Sequence, residues 1–240
     1  TNILTDSWKT LSDKHDGESC YIIGNGPSIK WFDLGHFSDK PAISAGAIHY
    51  HKEHSMLDLR YFVLPEPWFF MPHYWRTILG VEKEQSCLLK TLEPIAADFK
   101  NFMKESQDKT FFLNLSNILH TYASNIHYVY RGLPICRNSF DRKLEVYNLF
   151  GGSFYAPLTL AYFMGFKKVY LIGFDAWTIL PPRNVRYYEY GRGEVGENVP
   201  DLADLPLLQL YKSQMDIYTI SAEGESSTVE VIDYETYTGH

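Results

Sequence analysis

Ser19-Cys20-Tyr21-Ile22-Ile23-Gly24-Asn25-Gly26-Pro27-Ser28 is the stretch of sequence that decides the fold. Its first half is a short apolar run that predicts a buried β-strand, and Gly24 ends that run. Its second half, 24–28, holds two glycines and a proline and predicts a tight turn. Ser28 is expected to cap a short helix over 29–34, because a serine hydroxyl can accept a hydrogen bond from a free amide of the first turn.

A second block of the same character begins at Gly151. Ser153 precedes an apolar helix predicted over 155–164, with Pro157 in its first turn and Gly165 as its C-terminal cap. The strand Lys168–Ile172 follows, and its carboxyl end carries Gly173-Phe174-Asp175. This block therefore places a second glycine turn at the end of a second buried strand.

The remaining apolar segments alternate between the strand and helix types. Strands are predicted over 41–45, 60–64, 111–115, 125–130 and 216–220, and helices over 88–105 and 206–214. This alternation predicts one α/β domain over 1–240, with a Rossmann-like, mostly parallel sheet flanked by helices. The prolines and glycines within 178–200 predict a small mobile lid. In such sheets ligands bind beyond the carboxyl ends of the strands.

Composition narrows the class of function. The chain has 240 residues, of which 45% are hydrophobic, and a net charge of −7. An acidic chain lacks the broad positive field of nucleic-acid binders, so no nucleic-acid partner is expected. No apolar run reaches the roughly 18 residues of a membrane span, and no signal-peptide pattern is visible. Three cysteines without framework spacing argue against a disulfide-stapled secreted domain. A cytoplasmic location, including the inner face of the membrane, is expected.

The turn 24–28 is suited to an anionic ligand. Glycines let the backbone approach a ligand closely, and bared N–H groups at a helix start favour negative charge. Ser28 adds a hydroxyl, and Asn25 can both donate and accept. The pattern is neither Gly-x-Gly-x-x-Gly nor a P-loop, which argues against a dinucleotide dehydrogenase or a P-loop kinase. A tight turn that binds nothing is the alternative.

Residues 21–28 resemble the opening strand and loop of the bacterial lipo-oligosaccharide sialyltransferases, glycosyltransferase family 42. The block from Ser153 to Leu171-Ile172-Gly173-Phe174-Asp175 resembles the later serine loop, helix and strand of that family. This resemblance is good over the nucleotide-binding half and poor over 65–150. The same two signatures also occur in proteins related to hydroxymethylpterin diphosphokinase. The resemblance implies a metal-independent transferase that uses a CMP-activated acidic sugar and a glycan acceptor in lipopolysaccharide biosynthesis, with no permanently bound cofactor.

The resemblance also implies roles for particular residues. Tyrosines of the predicted lid would stabilise the leaving phosphate, with Tyr188 as the catalytic candidate and Arg183 or Arg186 adding positive charge. Packing of the lid is the alternative role for these tyrosines. The positions that would hold the donor are Gly24, Asn25, Gly26, Pro27, Ser28, Gly46, Gly152, Ser153, Asp175, Tyr187 and Tyr190.

Two positions depart from the family pattern. The family has an asparagine after its second strand, where this chain has Gly46. It also has a catalytic histidine before its final helix, and no histidine lies between His127 and His240. Glu194 or Glu197 is predicted to act as general base instead, because a carboxylate in a closed site can be tuned upward. His49 and His51 are the alternatives.

Other clusters leave alternatives open. His49, His51 and His54 invite a zinc reading, but no single backbone conformation groups all three, and no metal site is predicted. Asp175 and Asp201 would bind magnesium in a diphosphokinase-like enzyme that phosphorylates a small heterocyclic alcohol with ATP. A catalytically weak nucleotide-binding module is a third option. The run Trp68-Phe69-Phe70, with Tyr74 and Trp75, suits an acceptor platform, a membrane edge or core packing. Peripheral membrane contact and homo-oligomerisation stay open.

Overall fold

A computed structural model describes residues 10–66, 69–70, 86–129, 152–175, 186–188, 206–222, 224–226 and 228–239. The strands in these ranges are β1 (Ser19–Ile23), β2 (Pro41–Ser44), β3 (Asp58–Leu64), β4 (Thr110–Asn114), β5 (Ile126–Val129), β6 (Lys168–Ile172), β7 (Asp216–Ser221) and β8 (Glu230–Asp233). The α-helices are α1 (Ser86–Glu105), α2 (Gly152–Phe163), α3 (Pro206–Lys212) and α4 (Tyr234–Thr238).

All eight of these strands form one parallel sheet, in the order β5-β4-β3-β2-β1-β6-β7-β8. The predicted Rossmann-like α/β class is therefore confirmed. From β1 the strands add outward to β5, and then β6 returns to the other side of β1. The order thus reverses between β1 and β6, and ligands of open parallel sheets bind at such a reversal. We call the carboxyl ends of these two strands the switch point.

Helix α2 fixes one face of the sheet at the switch point. It packs against β1, β2 and β3, and nearly all of its described side chains are buried. Its end is closed by Gly165 at φ +88°, with Gly165 N–H donating to Tyr162 and Phe166 N–H to Ala161. This is the predicted glycine cap, in the Schellman form. The carbonyls of residues 163, 164 and 165 accept hydrogen bonds from the amides of Asp13, His15 and Gly17, in that order.

Three details differ from the expectations. Residues Pro27–Lys30 form a 3-10 turn with Gly26 as its N-cap, so Ser28 lies inside the turn and is not a cap. Proline with its fixed φ starts a helical turn well, which explains the earlier beginning. Helix α2 begins at Gly152, so Pro157 falls in its second turn and not in its first. Strand β8 and helix α4 were not predicted at all.

Two further sequence expectations bear on the surface. Phe70 is buried, and Phe69 packs edge-on against Phe70 and Phe99, so this part of the aromatic run belongs to the core. Trp68, Tyr74 and Trp75 lie outside the described residues. Among the described helices, none combines the length and the apolarity that crossing a membrane requires.

Asn117 holds the chain that leaves β3 at the carboxyl edge. Its Oδ1 accepts from Phe70 N–H at 3.0 Å, and its Nδ2 donates to the carbonyls of Glu66 at 3.3 Å and Asn114 at 3.2 Å. The residue is fully buried. Asn117→Ala is expected to lower the free energy of unfolding by about 1–3 kcal/mol, because three backbone groups lose their hydrogen bond to this side chain. Urea denaturation measures this loss.

Asn101→Ala, at an exposed position of α1, is the matched control and should change stability by less than about 0.5 kcal/mol. Equal stabilities for Asn117→Ala and the wild-type protein would show that water replaces the lost hydrogen bonds.

Candidate functional site

The loop after β1 and the loop after β6 contact each other directly at the switch point. Gly24 N–H donates to Ile172 O at 2.8 Å, and Gly26 N–H donates to Gly173 O at 2.6 Å. A Cβ atom at Gly24 would lie 2.3 Å from Gly173 O, and one at Gly26 would lie 2.7 Å from it. Glycine is therefore required at both positions because the two backbones lie too close for a side chain.

Asp175 supplies a negative charge to the turn after β1. Its Oδ2 accepts from Ser28 N–H at 3.2 Å and from Ser28 Oγ at 2.9 Å, and the residue is buried. The bared amides at the start of a helical turn favour an anion, and here a carboxylate of the protein takes that place. Ser28 and Gly26, both predicted to hold the donor, thus already donate within the protein.

Asn25 joins three separate segments. Its Oδ1 accepts from Ala47 N–H at 2.9 Å, and its carbonyl accepts from Tyr187 N–H at 2.8 Å. The Tyr187 hydroxyl closes the arrangement by donating to Ala47 O at 2.6 Å. We call these three residues the Asn25 junction. Among the described residues, none accepts a hydrogen bond from Asn25 Nδ2, and Asn25 is partly exposed. This amide can therefore donate to a ligand at the switch point.

Gly46 makes room for the Asn25 side chain. A Cβ atom at position 46 would lie 2.1 Å from Asn25 Nδ2 and 2.4 Å from its Oδ1. The space next to β2 that a larger residue at position 46 would occupy is therefore filled by Asn25. Gly46 therefore leaves the space that the Asn25 carboxamide of the neighbouring loop occupies.

The amino end of α2 lies at the same edge of the sheet. Gly152 and Ser153 form its first two residues, and the ring of the next residue, Phe154, contacts Phe174 at 5.6 Å between centroids. The loop after β6 and the start of α2 are therefore neighbours. A 12-residue helix has unpaired amides and positive potential at its first turn, which favour an anionic group there.

The segment 186–188 brings part of the predicted lid to the switch point. Tyr187 is buried, and burial raises the pKa of its hydroxyl, so it stays protonated. Tyr188 is 44% exposed, and the guanidinium carbon of Arg186 lies 6.0 Å from the centre of its ring. Tyr188 is thus the tyrosine of this segment that a ligand can reach. Glu194, Glu197, Tyr190, Arg183 and Asp201 lie outside the described residues, as does the rest of 178–200.

The two histidine alternatives for the general base are placed differently. His51 Nδ1 accepts from Glu53 N–H at 3.2 Å, so its neutral ring carries the proton on Nε2 and acts as a donor. The His49 side chain is only 4% exposed and packs against Phe99 and Phe102. Burial lowers the pKa of His49 to about 4, which makes it a weak base at neutral pH. Within the described ranges, no group of three side chains is placed to bind a metal ion. His54 is instead directed at the backbone, since its Nδ1 lies 2.8 Å from the His51 carbonyl oxygen.

The low pKa of His49 predicts acid sensitivity. The unfolded chain takes up a proton on His49 near pH 6.5, whereas the folded chain takes it up only near pH 4. Stability from this group is therefore fully present above pH 6.5 and lost as the pH falls toward 4. The free energy of unfolding at pH 5 should therefore be about 2 kcal/mol lower than at pH 7 because of this group.

Urea unfolding at the two pH values checks this prediction. His49→Leu should remove this share of the acid sensitivity, while the exposed His120→Leu serves as the matched control. An unchanged pH dependence in His49→Leu would contradict it.

Sequence reasoning missed three residues of this region, Ala47, Tyr50 and Asp98. Ala47 acts through its backbone, so its side chain gives no signal, although its place just after a strand end is informative. Burial raises the pKa of the Tyr50 hydroxyl, and the negative charge of the nearby Asp98 raises it further. Asp98 lies on α1 far from any motif, and no pattern in the sequence indicates it.

No protein-family model, curated protein or solved structure matches this chain. The resemblance to the sialyltransferases therefore stays a prediction, and the functional argument depends on the site itself.

Proposed function

We propose that this protein is a glycosyltransferase that moves an acidic sugar from a CMP-activated donor to a glycan acceptor. The Asn25 junction is the observation that carries the proposal. It attaches a tyrosine- and arginine-bearing segment to the glycine loops at the switch point, where parallel sheets bind nucleotides. A contact between three loop segments of this kind exceeds what a simple turn between β1 and the next element needs.

The charges of the site favour a donor with a single phosphate. Asn25 Nδ2 and the first-turn amides of α2 would hold that phosphate, with Ser153 adding its hydroxyl. Asp175 places a buried negative charge against the turn 24–28. A CMP-sugar carries one bridging phosphate, whereas ATP carries three, and the carboxylate penalises the extra charge. Tyr187 would position the segment because its hydroxyl hydrogen is already donated to Ala47.

In the proposed reaction the acceptor hydroxyl attacks the anomeric carbon of the sugar. The new C–O bond forms as the bond from that carbon to the phosphate oxygen breaks, and the electron pair leaves with CMP. Tyr188 and Arg186 would stabilise the charge that develops on the phosphate. Glu194 or Glu197 would take the acceptor proton, and Glu194→Gln together with Glu197→Gln tests that role by turnover.

Calorimetric titration with CMP, CDP, UDP and ATP, with and without magnesium, tests the proposal. Selective, magnesium-independent binding of CMP is the expected result. Magnesium-dependent ATP binding would instead favour the diphosphokinase-like alternative, for which Asp175 and Asp201 would hold the ion. If the protein binds none of the four nucleotides, the result would favour an assembly module that has no nucleotide site.

Ser153→Ala is expected to weaken CMP binding about threefold to tenfold, because one neutral hydrogen bond to the phosphate is lost while the amides of α2 stay. The titration measures this change. Ser213→Ala, at an exposed position just after α3, is the matched control and should bind CMP like the wild-type protein. Wild-type affinity of Ser153→Ala for CMP would show that this serine does not bind the phosphate.

A further inference from the structure

Two exposed tyrosines flank the buried Tyr187 beside the switch point. Tyr50 is 43% exposed and Tyr188 is 44% exposed. The carbonyl of Ala47 links them, because it accepts both from Tyr50 N–H at 3.0 Å and from the Tyr187 hydroxyl at 2.6 Å. The rings of Tyr187 and Tyr188 then contact each other at 5.1 Å between centroids. Both exposed rings are therefore held by the Asn25 junction.

The Tyr50 ring has a firm backing. His49 packs against it at 4.0 Å between centroids, and Phe99 contacts it edge-on at 6.4 Å. His49 is itself buried, and neither of its ring nitrogens has a hydrogen-bond partner among the described residues. Its Nε2 lies 3.8 Å from Asp98 Oδ2, which is beyond hydrogen-bond distance. The buried His49 ring thus supports the exposed Tyr50 ring and faces the carboxylate of Asp98.

The charges around these rings indicate the class of ligand. Asp98, whose side chain is 56% exposed, lies near the Tyr50 hydroxyl, and its negative charge would repel a phosphate. Arg186 lies over Tyr188 and would repel a cation. A neutral ring with many hydroxyls is repelled by neither charge. Its faces can stack on tyrosine, and its hydroxyls can donate to the Asp98 carboxylate.

We propose that the exposed rings of Tyr50 and Tyr188, together with Asp98, form the site that binds a pyranose ring of the glycan acceptor, while Arg186 faces the donor phosphate. The acceptor role rests on the proposed transferase function, whereas sugar binding itself does not. The site lies next to Asn25, so an acceptor bound there is close to the place assigned to the donor phosphate. Asp98 would orient the sugar through its hydroxyls, and the tyrosines would hold its faces.

Saturation-transfer NMR with three methyl pyranosides, of β-glucose, β-galactose and N-acetyl-β-glucosamine, tests the proposal on the whole chain. The wild-type protein is expected to bind at least one of them. Tyr50→Ala should weaken that binding by about tenfold or more, because the stacking face is lost, while Tyr50→Phe should stay within about threefold. Tyr122→Ala is the matched control, since Tyr122 is 71% exposed on the chain between β4 and β5.

The outcomes separate the two proposals. Binding of none of the three sugars by the wild-type protein, or equal affinities for the wild-type protein and Tyr50→Ala, would overturn the sugar site. Titration of the same samples with CMP is independent of this result, and Tyr50→Ala is expected to keep the wild-type dissociation constant for CMP. Sugar binding without any CMP binding would refute the transferase and retain the sugar site. A thermal melt of Tyr50→Ala establishes that the variant is folded.

Discussion

Gly26→Ala is expected to lower the free energy of unfolding by about 3 kcal/mol or more. The new Cβ atom would lie 2.0 Å from Asp175 Oδ2 and 2.7 Å from the backbone carbon of Gly173. Moving the carboxylate alone does not relieve the contact, because the backbone of the loop after β6 would also be too close, at 2.7 Å. The two loops would have to separate, and Gly26 N–H and Ser28 N–H would lose their acceptors. Urea denaturation measures the effect.

Gly35→Ala is the matched control for this prediction. A Cβ atom there would meet only side-chain atoms, Asp33 Oδ1 at 3.0 Å and the Met56 sulfur at 3.5 Å, and both can move. Its stability should stay within about 1 kcal/mol of the wild-type value. If Gly26→Ala is as stable as Gly35→Ala, the close contact at the switch point does not hold in solution.

Asn25→Ala is expected to raise the dissociation constant for CMP by about tenfold to a hundredfold, because a hydrogen bond to a charged phosphate is lost. It should also lower the free energy of unfolding by about 1–2 kcal/mol, since Ala47 N–H loses its acceptor. Calorimetry and urea unfolding measure the two effects on the same preparation.

Asn25→Asp separates the two roles of this side chain. An aspartate keeps an oxygen for Ala47 N–H but replaces the donor Nδ2 with a negative charge. Stability should therefore stay within about 1 kcal/mol of wild type, while CMP affinity falls by at least about tenfold. Wild-type CMP affinity in both variants would show that Asn25 does not bind the donor, and it would refute the proposed donor site.

Local sequence signals predicted the central strands well. The apolar runs that became β1 and β6 are bounded by glycines, and Gly165 marks the end of α2 because only its positive φ closes that helix easily. Strand β8 escaped because Glu230-Val231-Ile232-Asp233 is short, polar at both ends and at the sheet edge. The clearest sequence signal in this region is Asp233, the last residue of β8. It caps α4 by accepting from Thr236 N–H at 2.9 Å.

The candidate site was predictable only in part. Parallel strand ends meet at one edge, so the meeting of the loop 24–28 with Gly173-Phe174-Asp175 follows from the two motifs. That Asp175 would bind Ser28 does not follow, because contacts between distant loops depend on which strands are neighbours. Tyr50 and Asp98 could not be found for the same reason, since α1 and the loop after β2 meet only in the folded chain.

The position of β1 has a consequence for synthesis on the ribosome. β1 pairs on one side with β2, which follows it closely, and on the other side with β6, which is made only after most of the chain. Until β6 emerges, one edge of β1 offers unpaired amides and carbonyls with apolar residues on both faces. We therefore expect the half-made chain to bind chaperones and to aggregate more readily than the complete chain. Slower translation once β6 has left the ribosome should raise the yield of native protein, because β6 then has time to pair with β1.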